Sequence, residues 1–192
     1  LMLTENAQPA ILTASIAALR VLEGEGLTAK VAFVAGHSLG EYSANVAAGT
    51  FAFADAVRTV RRRGRYMQEA VPVGTGAMSA ILGLDAETVA QACEDAAQGE
   101  VVAPANMNGA GQVVIAGARA AVERAGARAK ALGAKRVVPL SVSAPFHCAL
   151  MRPAADAMAE ALAEVAMQAP AVPVVANVGA APLSDPAAIR DS

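Results

Sequence analysis

The pattern of hydrophobic and polar positions alternates between helix-like and strand-like segments along the chain. Between residues 5 and 22, apolar side chains recur at helical spacing, and Gly24 and Gly26 follow them. The next apolar run, residues 31–35, is short and continuous, which is typical of a strand buried on both faces of a parallel sheet. Helices and buried strands in alternation predict an α/β fold.

The middle of the chain has a second pattern, bounded by a glycine-rich segment at residues 74–76. It predicts a βαββαβ order, known as the split βαβ or ferredoxin-like motif. The six elements are expected at residues 77–84, 86–97, 101–106, 112–117, 119–132 and 135–142. We therefore predict an inserted ferredoxin-like subdomain over residues 75–144.

Residues 1–74 and 145–192 are then expected to form a larger subdomain with an α/β-hydrolase-like, parallel-sheet core. Its second part is predicted to contain a helix over residues 152–168 and a strand over residues 172–178.

A serine stands between two glycines directly after the strand predicted at residues 31–35, in Gly36-His37-Ser38-Leu39-Gly40. An alanine-rich helix is predicted to follow, so the order is strand, tight turn and helix, as in a nucleophile elbow. The hydroxyl of Ser38 would lie near the helix N-terminus, where free N–H groups stabilise a developing oxyanion. Ser38 is thus a candidate nucleophile, with the N–H of Leu39 as the first oxyanion donor.

A serine nucleophile needs a base, and the chain has two histidines, His37 and His147. The ring of His37 would point away from the hydroxyl of the adjacent Ser38, so we expect a structural role for it. His147 falls on a loop after a predicted strand and is the candidate general base. Of the candidate acidic residues between Ser38 and His147, none sits on a loop after a predicted strand of the main sheet. This counts against a serine esterase of the α/β-hydrolase type, which remains an alternative.

A basic cluster, Arg61-Arg62-Arg63-Gly64-Arg65, lies on a predicted helix. Because a helix sends successive side chains in different directions, one arginine can face inward while the others stay solvated. A guanidinium at the site would bind a carboxylate with two hydrogen bonds. The substrate would then be an acyl group with a free acid, although the pattern does not say which arginine faces inward.

Composition excludes several classes of function. The 192 residues carry a net charge of −2, which argues against nucleic acid or an anionic membrane as a partner. Two cysteines, outside any metal-ligand pattern, indicate neither a metal site nor a disulfide framework. Without an 18-residue apolar span or a signal peptide, we expect a cytoplasmic protein.

Five segments together resemble the malonyl-CoA:acyl-carrier-protein transacylases, in the right order and over nearly the whole chain. They are Gly36-His37-Ser38-Leu39-Gly40-Glu41-Tyr42, Arg63-Gly64-Arg65-Tyr66-Met67-Gln68, Gly74-Thr75-Gly76-Ala77-Met78, Gly111-Gln112-Val113-Val114-Ile115-Ala116-Gly117 and Pro145-Phe146-His147-Cys148. The resemblance implies Ser38 as nucleophile, His147 as base and Arg63 as the anchor of the malonyl carboxylate. Leu39 and Phe146 are similar to residues of malonyl-selective relatives. Asn106 and Asn108 either line the cleft or only form a turn.

The resemblance implies transfer of malonyl from malonyl-CoA to the phosphopantetheine thiol of acyl carrier protein, through a malonyl-serine, in fatty acid synthesis. No cofactor or metal is expected, and coenzyme A enters as the thioester substrate; we expect a monomer. The acyltransferase domain of a polyketide synthase is an alternative with the same chemistry. Two family segments, an oxyanion strand and the glutamine that orients the histidine, are expected before Leu1 and after Ser192. The chain would then hold the middle of the enzyme and be a poor catalyst alone.

Overall fold

The computed structural model describes residues 3–192, which form an α/β fold with mixed strand directions. In chain order the elements are α1 (Thr4–Gly24), β1 (Val34–Ala35), α2 (Leu39–Ala47), α3 (Phe53–Ala70), β2 (Gly76–Leu82), α4 (Ala86–Ala97), β3 (Val102–Met107), β4 (Gln112–Ala118), α5 (Arg119–Ala131), β5 (Arg136–Pro139), a 3₁₀ turn (Ala149–Met151), α6 (Arg152–Ala163), β6 (Val174–Val175), β7 (Pro182–Leu183) and α7 (Pro186–Asp191). Two compact units are present. Unit 1 comprises Leu3–Arg65 and Ala157–Ser192, and unit 2 comprises Tyr66–Asp156.

Unit 1 contains a small sheet with the strand order β1-β6-β7. β1 runs parallel to β6, with Val34 opposite Val174, and β7 runs antiparallel to β6. The strand predicted over residues 31–35 is confirmed only at its last two residues, and the strand predicted over residues 172–178 only near its centre; β7 was not predicted. Among the described residues β1 pairs with β6 alone, and Phe33 is 56% exposed. The apolar sequence of residues 31–35 predicted a strand buried on both faces, and such a strand must be packed against other elements on each face.

The core of unit 1 is built by helices whose apolar positions recur at helical spacing. Leu12 and Ile16 of α1 pack with Val46, Phe51 and Val60. α1 and α3 touch closely: a Cβ at Gly64 would lie 2.5 Å from the Cα of Glu5. This approach brings the first turns of α1 against the part of α3 that carries the arginine cluster.

The helix predicted over residues 152–168 is shorter than expected, since α6 ends at Ala163. Past this point the chain bonds to the segment that follows α2. The N–H of Gln168 donates to the carbonyl of Thr50 at 3.1 Å, and the N–H of Ala171 to the carbonyl of Ala48 at 2.8 Å. These long-range hydrogen bonds replace those that a longer helix would make.

Unit 2 contains a four-stranded antiparallel sheet with the order β3-β4-β2-β5. Its elements follow one another in the predicted order, strand, helix, two strands, helix and strand. Val113 and Ile115 of β4 pack in the same cluster as residues of α4 and α5. Val114 and Ala116, which alternate with them, belong to a separate cluster, as expected for a strand whose successive side chains point to opposite faces.

Candidate active site

Ser38 lies on a tight turn between β1 and α2, directly before the first residue of the helix. Its backbone has φ 54° and ψ −108°, a left-handed conformation that a residue with a side chain rarely adopts. A Cβ at Gly36 would lie 2.0 Å from the backbone carbon of Gly40, so only glycine fits at position 36. A Cβ at Gly40 would meet nothing within 4 Å. The strand and the helix therefore approach each other closely at the elbow, and this approach depends on Gly36.

Arg63 of α3 is the arginine that reaches Ser38. Its Nη2 donates to the Ser38 hydroxyl oxygen at 2.9 Å, and its Nη1 donates to Oε1 of Gln8 at 2.7 Å. Nε2 of Gln8 donates in turn to the Thr4 hydroxyl at 2.8 Å. Gln8 and Thr4 are both buried. A buried amide of α1 therefore fixes one edge of the guanidinium while the other edge faces the serine.

Burial and two neighbouring side chains determine the electrostatic environment of Arg63. The guanidinium carbon lies 5.6 Å from the centroid of the Tyr42 ring. Burial lowers the pKa of Arg63 from its ordinary value, and the nearby Tyr42 and Glu41 oppose that shift. Burial likewise raises the pKa of Tyr42. A partly desolvated cation of this kind gains most from a charged partner that enters the site.

The other arginines of the cluster lie elsewhere on the helix surface. Arg62 forms an ion pair with Glu164 at 2.8 Å, and Arg61 and Arg65 are exposed. The sequence pattern alone left open which arginine faces inward; the fold selects Arg63.

Asn177, just after β6, is a site residue that the sequence did not single out. Its Oδ1 accepts from the N–H of Ser38 at 2.6 Å, and its Nδ2 donates to the Gly36 carbonyl at 2.6 Å. Its own backbone N–H donates to Oε2 of Glu41 at 3.0 Å. The only signal in the sequence is a polar residue that interrupts an apolar strand. Gln8, in the apolar pattern of the first helix, gave a similarly weak signal.

His147 and Phe146 lie in unit 2, on the loop after β5. Pro145 is fully buried, and a Cβ at Gly76 would lie 2.4 Å from its ring. Phe146 packs with the buried Met67 and Met78. His147 is exposed and has φ 59°, a second left-handed backbone at a residue predicted to act in catalysis. The loop is thus tightly packed on one side and presents the histidine on the other.

The thiol next to His147 is held within the same loop. Sγ of Cys148 donates to the carbonyl of Pro145 at 3.1 Å, and burial raises the pKa of this thiol. A protonated, internally bonded thiol is a poor nucleophile.

Asn106 and Asn108 lie at the β3–β4 hairpin of unit 2. Asn106 pairs with Val114 just past an irregularity in the ladder, and the N–H of Asn108 donates to the carbonyl of Gln112 at 3.0 Å. Asn108 therefore takes part in closing the turn through its backbone.

Residues 3–192 contain neither a metal-binding cluster nor a membrane-spanning helix. No group of three or more His, Cys, Asp or Glu side chains in this part of the chain could hold a metal ion. None of the described helices is long and apolar enough to cross a membrane.

Comparison with known proteins places this arrangement in a family. The model of the family described as "Acyl transferase domain" matches residues 1–188. The chain belongs to the acyl transferase domain family. The match includes Ser38, Arg63, His147 and Asn177.

Relatives of this acyl transferase domain chain include enzymes with a stated activity. It is 60% identical over 189 residues to the malonyl CoA-acyl carrier protein transacylase of Salmonella typhimurium, with 98% of the chain and 61% of the relative covered. A crystal structure of an acyl carrier protein S-malonyltransferase from Vibrio cholerae is 56% identical, with a TM-score of 0.94, and the match covers 98% of this chain and 61% of that one.

A further solved structure holds a relative together with its partner. It is a malonyl-transacylase in complex with a type II polyketide synthase acyl-carrier protein. It is 53% identical with a TM-score of 0.95, over 98% of this chain and 61% of the relative. The chain therefore spans about three fifths of the length of the relatives it matches.

Proposed function

We propose that the protein containing this chain transfers malonyl from malonyl-CoA to the phosphopantetheine thiol of acyl carrier protein, through a malonyl-Ser38 intermediate. The Salmonella relative, a malonyl CoA-acyl carrier protein transacylase 60% identical to this chain, supports the reaction. We further propose that the protein acts in cytoplasmic fatty acid synthesis as a monomer and needs neither metal nor cofactor.

The hydrogen bond from Arg63 to the hydroxyl of Ser38 is the observation that carries the choice of substrate. At 2.9 Å, the guanidinium lies within one hydrogen bond of the attacking oxygen. In a malonyl ester, a single methylene separates the carbonyl carbon bonded to Oγ from the carboxylate. A carboxylate that close to Ser38 would meet Arg63, whereas an acetyl group would leave the guanidinium without an anion.

The elbow supports Ser38 as the nucleophile. Attack of its oxygen on the thioester carbonyl forms a C–O bond, and collapse of the oxyanion breaks the C–S bond and releases coenzyme A. The N–H of Leu39, at the start of α2, is proposed as an oxyanion donor. His147 is proposed to take the serine proton and give it to the leaving thiolate. For the carrier thiol the same steps run backwards, so that His147 takes the thiol proton and returns it to the Ser38 oxygen as the ester bond breaks.

Four residues are proposed to shape the acyl and substrate site. Leu39 and Phe146 would restrict the space beside the α-carbon and disfavour a methyl branch, which a pocket of this kind discriminates by about 1–3 kcal/mol. Asn106 and Asn108 are proposed to line the cleft. The resemblance to malonyl-selective relatives supports the first pair; the second pair rests only on the resemblance of the chain to the family.

The fold proposal follows the same family. We infer an α/β-hydrolase-like core over residues 1–74 and 145–192 with a ferredoxin-like subdomain inserted over residues 75–144. The βαββαβ order and antiparallel sheet of unit 2 support the insert, and the parallel pair β1–β6 beside the elbow supports the core.

A polyketide synthase acyltransferase is the second candidate. The relative solved in complex with a type II polyketide synthase carrier protein favours it, because its chain is 53% identical to this one. The chemistry at Ser38 would be the same, and only the carrier protein would differ.

Labelling with radioactive malonyl-CoA tests the function. We expect covalent label on the intact protein that contains this chain, loss of that label in Ser38→Ala, and its passage to added acyl carrier protein. Ser43→Ala, a change of the same kind on α2, is the matched control and should retain the label. Label that survives Ser38→Ala would place the nucleophile elsewhere. Parallel assays with carrier proteins of fatty acid and polyketide synthesis would separate the two candidates.

A further inference from the structure

The parallel pairing of β1 with β6 has a regular pattern that can be followed past the end of the strands. In a parallel pair, the N–H and C=O of one residue bond to the two residues that flank its partner. Val34 follows this rule: its N–H donates at 3.1 Å to the carbonyl of Pro173, which precedes its partner Val174. Extension of this register past the last paired residues sets His37 opposite Asn177.

A continued ladder would make two specific hydrogen bonds at this point. The main-chain N–H of Asn177 would donate to the Gly36 carbonyl, and the N–H of Ser38 would donate to the main-chain carbonyl of Asn177.

The structure contains both hydrogen bonds, but the side chain of Asn177 makes them in place of its backbone. Nδ2 donates to the Gly36 carbonyl at 2.6 Å, and Oδ1 accepts from the N–H of Ser38 at 2.6 Å. The backbone N–H of Asn177 donates to Glu41. If the side-chain amide of Asn177 were rotated by 180°, its Nδ2 would face the N–H of Ser38 and its Oδ1 would face the Gly36 carbonyl. The two hydrogen bonds therefore determine the orientation of the amide.

This substitution of side chain for backbone occurs where the main chain has to leave the strand. After β6 the chain turns back, with the N–H of Ala176 bonded to the carbonyl of Ala181 at 3.1 Å. On the other side, Ser38 adopts its left-handed backbone. Such a conformation persists only where the surroundings hold it. The amide of Asn177 bonds to the peptide groups on both sides of His37 and so limits how the turn can relax.

We propose that Asn177 is a positioning residue for the nucleophile: its side chain adds one rung to the sheet and thereby holds Ser38 in its reactive conformation. The inference rests on the proposed function only in taking Ser38 as the nucleophile. Asparagine suits this role because its amide carries one donor and one acceptor in the geometry of a peptide group. Aspartate at neutral pH lacks the donor, and alanine lacks both groups.

Three variants of the intact protein test the role: Asn177→Ala, Asn177→Asp and the control Val178→Ala, at an exposed neighbouring position. The first readout is the rate at which a fluorophosphonate labels Ser38, with malonyl-CoA labelling measured in parallel. We expect Asn177→Ala to label about tenfold more slowly or worse per folded molecule, since small misplacements of a reacting group are costly. Val178→Ala should match the parent.

The pH dependence of Asn177→Asp provides a readout that a purely structural role would not move. When the new carboxyl group is neutral, its O–H can donate to the Gly36 carbonyl while its C=O accepts from Ser38. The ratio of its labelling rate to that of the parent should therefore rise as pH falls. The charged and titratable groups nearby are Glu41, which bonds to the backbone of Asn177, Arg63, which bonds to Ser38, and His37, which precedes Ser38. All three are present in the parent as well, so the ratio isolates the new group. Asn177→Ala should show no such recovery.

A second measurement does not depend on the chemistry of the serine. Hydrogen exchange of the Ser38 amide should accelerate in Asn177→Ala but not in Val178→Ala. Unchanged exchange, unchanged labelling per folded molecule or a flat pH ratio would overturn the proposal. If the parent reacts with the fluorophosphonate but not with malonyl-CoA, the proposed function fails while the test of Asn177 remains valid.

Discussion

The contacts that stabilise unit 1 internally differ in kind from those that stabilise unit 2 internally. In unit 2, β2 and β4 pair along seven residues each, and apolar side chains fill both sides of the sheet. In unit 1, β1 and β6 pair along two residues each. Polar side chains distant in sequence link its segments: Gln8 to Arg63, Arg63 to Ser38, and Asn177 to the elbow.

This difference explains why the candidate nucleophile and its arginine lie in unit 1. A long ladder satisfies the backbone by itself and gives little freedom to its residues. A ladder that stops after two residues leaves backbone groups at the strand ends, which side chains then satisfy. The left-handed serine and its arginine lie among those side chains, so unit 1 combines strain with polar contacts that unit 2 does not need within its sheet.

The largest effect is expected from Gly36→Ala, which breaks the elbow on which unit 1 depends. Because the new Cβ would lie 2.0 Å from the backbone of Gly40, strand and helix must separate. We expect a loss of about 4 kcal/mol or more in the free energy of unfolding and loss of Ser38 labelling. Gly40→Ala is the matched control, since its Cβ has free space and alanine favours a helix. The measurements are the thermal unfolding and the Ser38 labelling of both variants. Equal melting temperatures and equal labelling would contradict the tight contact at Gly36.

A smaller but more selective effect is expected from Arg63→Ala, which tests whether the polar contacts of unit 1 serve the substrate. Removal of one partner of a buried charge pair costs about 2–5 kcal/mol, so malonyl transfer should fall by about 30-fold or more. Acetyl transfer should persist, because acetyl has no carboxylate. Arg61→Ala, at an exposed position of the same helix, is the control.

The measurement for Arg63→Ala is kcat/KM for malonyl-CoA and for acetyl-CoA. An equal loss with both thioesters would remove Arg63 from substrate selection and leave it a role in the support of Ser38.

The smallest effect is expected from Asp85→Ala, which probes the stability of unit 2 alone. Asp85 caps α4 and accepts from the N–H of Thr88 at 2.7 Å, and this hydrogen bond lowers the pKa of its carboxyl group. A pKa lower in the folded than in the unfolded state means that the contribution to stability is present above the unfolded value, about 3.9, and is lost as pH falls through the folded value. Asp85→Ala should therefore be less stable than the parent at neutral pH, and the gap should close in acid.

Chemical denaturation across pH checks this expectation. Asp185→Ala removes a similar cap, which accepts from the N–H of Ala188, from the six-residue α7 of unit 1. A short helix near the end of the described chain should lose less, since it frays readily. A gap for Asp85→Ala that persists at low pH would show that the charge of the cap contributes nothing.

Much of the fold could be predicted from the sequence wherever the cause is local. α4 begins and ends as expected, because its Asp85 cap and apolar spacing both lie within the segment. The order of elements in unit 2 followed from alternating periodicities in the same way. The extent of β1 and β6 could not be predicted, because a strand extends only as far as a distant partner pairs with it.

For the site, the sequence by itself determined the elbow: Gly36, Ser38 and Leu39 are neighbours, so their turn, strain and helix N-terminus belong to one short segment. Only the tertiary structure decided which polar side chains meet there. Arg63 lies 25 residues from Ser38, Gln8 lies 55 residues from Arg63, and Asn177 lies 139 residues from Ser38. Each contact depends on the packing of whole elements, such as α1 against α3 at Gly64 or β6 beside β1. A hydrogen bond forms only when donor and acceptor lie about 3 Å apart. The fold that brings two distant residues this close therefore selects the partners, and the sequence around each residue does not.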